Sequence, residues 1–273
     1  MGFKIPSVVS IAGSDSSGGA GIQADLKTIE ALGLFAQTAI TALTAQNTLG
    51  VSGVLDVPSE FVVQQIDAVF EDIRPGAVKI GMVSSALNVV AIAESLRAHA
   101  AENIVVDPVM VSTSGSMLMQ TDALDVFCQW LLPMATLLTP NIPEAEVLSN
   151  VKIGSLDDMD RAAQRIIDMG CKAVLIKGGH LEGDKKVDRL YLEGGETHQF
   201  VHQTIQTRNT HGTGCTLSSA IASFMARGEE MPQAVAKAKD YLSKALEAGK
   251  DVHIGEGHGP VDHLFNPEKL IIR

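Results

Sequence analysis

A three-layer α/β fold, with helices on both faces of a largely parallel sheet, is what this sequence predicts, and two observations predict it. Short β-branched runs alternate with longer stretches of helical period, which is the pattern of repeated βαβ units. The runs are apolar throughout rather than every second residue, as strands covered on both faces require.

The elements follow in order. SVVSIAG, from residue 7, predicts a strand and IQADLKTIEALG the helix after it. AVKIGM and ALNVVAIAESLRAHA repeat the unit, and NIVVDPVM with DALDVFCQWLLP repeats it again. TLLTP and PEAEVLSN form a shorter copy. The helix DMDRAAQRIIDMG leads to the strand AVLIKG, and DRLYLEGGETHQFVH reads as a hairpin turning at Gly194 and Gly195. CTLSSAIASFMARG and PQAVAKAKDYLSKALEAG are two closing helices before a Gly- and His-rich tail. No linker, internal repeat or low-complexity stretch interrupts the 273 residues, so one domain is expected. In such sheets ligands gather beyond the carboxyl ends of the strands.

Composition narrows the function. A net charge of -11 argues against capture of nucleic acid or an anionic membrane, both of which need a basic face, and favours a small-molecule partner. The 3 cysteines, Cys128, Cys171 and Cys215, have no metal-ligand spacing and favour a reducing compartment without disulfides. The N-terminal stretch lacks a signal-peptide core, and no apolar run is long enough to span a bilayer, so a cytoplasmic location is expected.

Two glycine-rich loops open helices, and each has backbone N–H groups to offer an anion at a positive helix end. In IAGSDSSGGAGIQAD, Gly13 and Gly18 have P-loop spacing, but Gly19 and Ala20 stand where that loop needs Lys and then Ser or Thr. The third glycine of a dinucleotide fingerprint is missing too, which weakens a nicotinamide oxidoreductase as a reading. A tight strand-to-helix turn is the plainer account. In NTHGTGC, Gly212 and Gly214 bare the backbone around Thr213, and Cys215 falls at the helix start, where the dipole favours a thiolate or an anion. The plainer account there is a small buried cysteine at a glycine turn.

TPNIPEAE supports two accounts that are compatible. Asn141 as N-cap, Pro143 in the first turn and Glu144 reaching back make a capping box; Glu144 also suits a site for Mg²⁺ and phosphate. Asp107 ends the apolar run IVVDPVM, where a carboxylate needs a partner, water or a metal, and is the stronger metal candidate. Lys177 follows AVLI and precedes Gly178 and Gly179; it serves as a point charge for phosphate or as a solvated lysine. His253, His258 and His263 in the tail lack the geometry of a metal site.

Together, IAGSDSSGGAGIQADLKT, ALTAQNTLGV, KIGM, VVDPVM, TPNIPEAE, IKGGH, NTHGTGCTLSSA and GHGPVDH resemble the hydroxymethylpyrimidine/phosphomethylpyrimidine kinases of thiamine biosynthesis, of the ribokinase-like superfamily. The match runs in order from about residue 7 to 263. The resemblance implies a three-layer ribokinase-like fold with at most a small lid. The implied reaction uses ATP and Mg²⁺ to phosphorylate 4-amino-5-hydroxymethyl-2-methylpyrimidine and then its monophosphate. It implies an anion hole at Gly212, Thr213, Gly214 and Cys215, with Cys215 as the base where most of the superfamily has Asp. A helix end lowering the thiol's pKa would suit that role. Phosphoryl transfer tolerates the exchange, because its loose transition state depends on alignment and electrostatics more than on early deprotonation.

The resemblance further places Asn141, Glu144 and Asp107 around Mg²⁺ and phosphate and Lys177 toward the nucleotide phosphates. Adenine contacts, made by shape and backbone, leave little motif; Thr207 and the helix AKAKDYL are the candidates for them. Gly13, Asp25, Gln46, Met82 and Val109 surround the pyrimidine, the first loop bringing Asp25 to the pocket. Some members carry Glu at the position of Gln46; an amide donates and accepts but offers no charge to a protonated ring. The family suggests a homodimer; no fused thiamine-phosphate synthase is expected, because none fits after residue 273. Two other readings remain: a pyridoxal or pyridoxine kinase of the same superfamily, and a non-catalytic ligand-binding regulator, against which Cys215, Asn141 and Glu144 speak.

Overall fold

Nine strands form one sheet in the order β3-β2-β1-β4-β5-β6-β7-β8-β9 in the computed structural model, which describes residues 5–111, 118–120, 122–178 and 185–272. β1 (Ser7–Asp15), β2 (Phe35–Asn47), β4 (Ala77–Ile80), β5 (Ile104–Val106), β6 (Leu137–Leu138) and β7 (Ala173–Ile176) run parallel. β3 (Gly50–Asp56) pairs antiparallel with β2, and β8 (Lys185–Leu192) with β7 and β9 (Thr197–Gln203).

Helices cover both faces, as parallel strands demand. Against one face pack α2 (Ser59–Asp72), α3 (Ala86–Ala98), α4 (Ala123–Trp130), α5 (Ile142–Ser149) and α6 (Leu156–Asp168), through Ile66, Ile92, Phe127, Leu148 and Ile166. Against the other lie α1 (Gly21–Ala31), α7 (Thr213–Ala226) and α8 (Met231–Gly249), through Ile29, Ile221 and Val235. The strands alternate between these two cores: Val9 and Ile11 enter the first, Val8 the second. Burial of each such side chain stabilises by roughly 1.5–3 kcal/mol, so even three-residue β5, wholly buried, is held firmly.

Every strand and helix expected from the sequence is present, and the hairpin turns where Gly194 and Gly195 take positive φ. Between residues 33 and 76, where the alternating pattern of the sequence predicts no element, the chain forms β2, β3 and α2. Gly179, one of the glycines after Lys177, lies outside the described residues.

Candidate active site

The sequence-derived site residues cluster where the parallel strands end. Gly13 lies near the end of β1, Met82 just past β4, Asp107 immediately after β5, Asn141 shortly after β6 and Lys177 immediately after β7. With Gln46, Val109, Glu144 and the loop 212–215 they border one cavity of about 970 Å³, ample for two small molecules.

One side of the cavity is built around charge. Asn141 caps α5 by accepting from the Glu144 N–H at 2.8 Å, while Glu144 Oε2 accepts from the Asn141 N–H at 2.8 Å, a complete capping box. Lys177 Nζ lies 2.8 Å from Asp107 Oδ1, which also accepts from Thr139 Oγ1. Burial opposes the Lys177 charge, but Asp107 and Glu144 outweigh it and raise its pKa. Burial pushes Glu144 well above the usual carboxylate range, against the pull of Lys177. A carboxyl with that proton affinity gains most from an arriving cation.

The second glycine loop faces this charged group. Gly212 is the N-cap of α7 at φ +78, and a methyl there would lie 1.9 Å from the Gly19 carbonyl, so only glycine lets the two loops touch. Thr213 N–H donates to Thr210 O and Thr216 N–H to Gly212 O. The N–H groups of Gly214 and Cys215 between them bond to no backbone carbonyl outside the helix and to no side chain among the described residues, the arrangement of a helix N-terminus open to an anion. A methyl at Gly214 would sit 3.1 Å from Asp107 Oδ2 and 3.6 Å from Lys177 Nζ, so the loop abuts the charged cluster.

Across the cavity, Met82 packs its sulfur against Gly13, where a methyl would approach it to 3.0 Å. Gln46 Oε1 accepts from Thr44 Oγ1 at 3.0 Å, and its Nε2 faces His211 Nε2 at 3.5 Å. That same ring nitrogen is 2.8 Å from Asp15 Oδ2. An ionised carboxylate only accepts, so the His211 proton sits on Nε2 and that nitrogen has no lone pair left for Gln46. The Gln46 amide therefore keeps an N–H donor that His211 does not take, at the border of the cavity.

Asp15 organises the first glycine loop. Its Oδ1 accepts from Ser17 N and Oγ, its Oδ2 from Gly19 N and Ala20 N as well as His211. Burial alone would raise its pKa, but the His211 bond and those from Ser17 and Ala20 bring it down to about 2. Neither Asp15 nor His211 was singled out in the sequence, although Asp followed by Ser-Ser-Gly-Gly is an Asx-turn signal.

Three expectations are corrected. Asp25 does not reach the cavity: it lies on the buried face of α1 with Ile22 and Ile29, fully enclosed and ion-paired with Lys79. The carboxylate that the first loop brings to the cavity is Asp15. Thr207 is spent on local structure, donating to Lys250 O and accepting from Asn209 N; Ile205 and Thr210 border the cavity instead. The Cys215 thiol is not lowered: burial pushes it up to about 11, against the pull of Lys79. The helix AKAKDYL does reach the cavity, through Lys239 and Leu242.

Comparison with known proteins identifies the family. The sequence pattern of the family described as phosphomethylpyrimidine kinase matches residues 15–262. The chain belongs to that family. Among its relatives, a hydroxymethylpyrimidine/phosphomethylpyrimidine kinase of Rhizobium meliloti is 50% identical over 257 residues, covering 94% of this chain and 96% of the relative. A thiamine biosynthesis bifunctional protein of Geobacter sulfurreducens is 48% identical over 98% of this chain, which spans only 54% of that protein's length. Outside the pyrimidine kinases, the structure of a Staphylococcus aureus pyridoxal kinase with AMP-PCP and pyridoxal superposes with a TM-score of 0.87 at 35% identity, over 97% of this chain and 96% of that one. The fold of this family member is thus ribokinase-like.

Proposed function

We propose that the protein transfers the γ-phosphoryl group of ATP to 4-amino-5-hydroxymethyl-2-methylpyrimidine and then to its monophosphate, for thiamine diphosphate synthesis. The observation that carries this reading is the meeting, in one cavity, of the open N–H groups of Gly214 and Cys215 with the Lys177, Asp107 and Glu144 cluster. Those N–H groups and the Lys177 ammonium are aimed where charge develops on a migrating phosphoryl group, and fixed donors at that place lower the barrier.

Each side of the cavity then has a role. Gly13, Met82 and Val109 enclose the flat acceptor, and the Gln46 N–H reads a ring nitrogen. Asn141, Lys177 and the loop 212–215 hold the phosphates. Leu242 and Leu246 of α8, with Ile205, form an apolar wall suited to the adenine. Burial pushes the Cys215 thiol up to about 11, so Sγ must first release its own proton to water; the thiolate fraction that results accepts the hydroxyl proton late, after the new P–O bond has begun to form.

The residues present fit Mg²⁺, an oxygen-seeking ion that takes one or two carboxylates and otherwise phosphates and water. Glu144, buried with an unusually high proton affinity, and Asp107 beside it would hold the ion. Bound there, Mg²⁺ would supply charge neutralisation for the phosphates.

The likeness to pyridoxal kinase gives the second reading its support, because the two acceptors are flat heteroaromatic rings bearing hydroxymethyl groups. ADP release with each acceptor at equal concentration separates them: the larger kcat/KM belongs to the pyrimidine on this account, and a much larger value for pyridoxal would reverse it. A cytoplasmic homodimer is the form we assign; no described helix is long and apolar enough to cross a membrane. Sedimentation of the purified chain tests the assembly.

A further inference from the structure

Lys79 and Asp25 are fully enclosed, and neither borders the cavity. The Lys79 ammonium lies 2.9 Å from Asp25 Oδ1 and 2.7 Å from Oδ2. Asp25 also accepts from Ser10 Oγ at 2.5 Å and from Ser219 Oγ at 2.7 Å. One carboxylate thus joins four elements: β1 through Ser10, α1 through its own backbone, β4 through Lys79 and α7 through Ser219.

Stability does not explain the pair. Apolar side chains of similar volume are often at least as stable as a buried ion pair, because both charges lose their water. Nor is the local sequence designed for packing alone. A methyl at Gly81 would lie 2.6 Å from Lys79 Nζ and 3.0 Å from Ala12 Cβ, so the residue beside Met82 is kept bare for the ammonium.

The location suggests what the pair does. Ser219 lies one helical turn beyond Cys215, on the same side of α7. The pair is therefore wedged between the first turns of α7 and the strand ending at the acceptor wall. From this placement, and resting on the phosphoryl-transfer reading above, we infer that Lys79 and Asp25 are positioning residues. They lock α7 to β4 and α1, so that Cys215 and the N–H groups at the helix start hold a fixed distance from the acceptor. A rigid charged joint resists displacement when phosphate charge arrives at the helix end, where an apolar contact would let the helix slide.

The test compares Ser219→Ala, Lys79→Met and the apolar double variant Asp25→Leu/Lys79→Met with the parent enzyme. Lys79→Met alone is expected to unfold at lower temperature, because it strands a buried carboxylate; the double variant recovers the parental midpoint. The recovered double variant is expected to keep KM for both substrates within about threefold while kcat falls at least about tenfold, toward the roughly 100-fold loss that a misplacement near 1 Å can bring. Ser219→Ala, which leaves the ion pair intact, is expected to keep the parental midpoint and lose about fivefold in kcat alone. Parental kcat in either stable variant, or a kcat loss matched by a KM rise, overturns the inference; if the double variant does not recover, Ser219→Ala decides. The rate at which iodoacetamide modifies Cys215 without substrates is a readout independent of the kinase reading. It is expected to shift at least about twofold in Ser219→Ala, and an unchanged rate overturns the positioning role even if no acceptor is phosphorylated.

Discussion

His211 Nε2 stands 2.8 Å from Asp15 Oδ2, and this contact ties the two glycine-rich loops into one unit. Asp15 holds the first loop by its own hydrogen bonds, and His211 directly precedes Gly212, the N-cap of α7. The first glycine-rich loop and the start of α7 are thereby joined through a single carboxylate.

Replacing that carboxylate by its amide measures the joint. Asp15 is held at about 2 in the folded protein, below its ordinary 3.8, so its charge stabilises the fold fully above about pH 4. That contribution is lost as pH falls through 4 toward 2. The depression corresponds to about 2 kcal/mol. Asp15→Asn is expected to lower the thermal midpoint at pH 7 by about 5 °C and to flatten stability against pH between about 4 and 2. Calorimetry across that range checks both, and an unchanged slope would contradict the assignment.

Gly212 should tolerate no side chain. Its φ of +78 and the 1.9 Å approach of a methyl to Gly19 O would force the loops apart. Gly212→Ala is expected to lose about 2 kcal/mol of stability and to lower kcat at least about 100-fold. Denaturant unfolding and steady-state kinetics measure the two effects separately.

Much of this architecture was legible because parallel strands and their helices are apolar in ways that local sequence displays. AVLI and IVV announce buried strands, and TPNIPEAE announces its capping box. α2 escaped assignment although Val62, Ile66 and Phe70 recur at helical spacing, and β2 although burial alternates along much of it. The cavity border was legible where chemistry and strand end coincide, as at Asp107 and Lys177. It was misread at Asp25, whose place on the stripe with Ile22 and Ile29 marks a core position. Its partner Lys79 stands alone among apolar residues in AVKI; two charges 54 residues apart in core positions are a pair that only the folded chain displays. His211 was invisible for the same reason, since its role depends on a contact with a residue 196 positions away.

Cys215 as base carries a definite pH dependence. A base must be deprotonated to act, and the thiol stands at about 11, so the active fraction grows as pH rises. Where transfer limits the rate, kcat is expected to climb about tenfold per unit between about pH 7 and 9. Cys215→Ala should lose about 100- to 1,000-fold in kcat and flatten the profile, with nucleotide affinity within about threefold of the parent. Turnover like that of the parent would remove Cys215 from the chemistry.

Lys177 meets Asp107 at 2.8 Å inside the cavity, so under the proposed function its loss acts twice: on the nucleotide phosphates and on the carboxylates left without a cation. Lys177→Met is expected to weaken ATP binding by at least about tenfold, while the acceptor's KM changes little. Titration calorimetry with a non-hydrolysable nucleotide, beside acceptor kinetics, reads the two effects.

The most direct test of the whole account is the mass of the products formed from ATP and 4-amino-5-hydroxymethyl-2-methylpyrimidine. The account predicts the monophosphate first and the diphosphate after it, each with stoichiometric ADP and both abolished in Cys215→Ala. No phosphorylated pyrimidine, with pyridoxal phosphorylated readily under the same conditions, would contradict it.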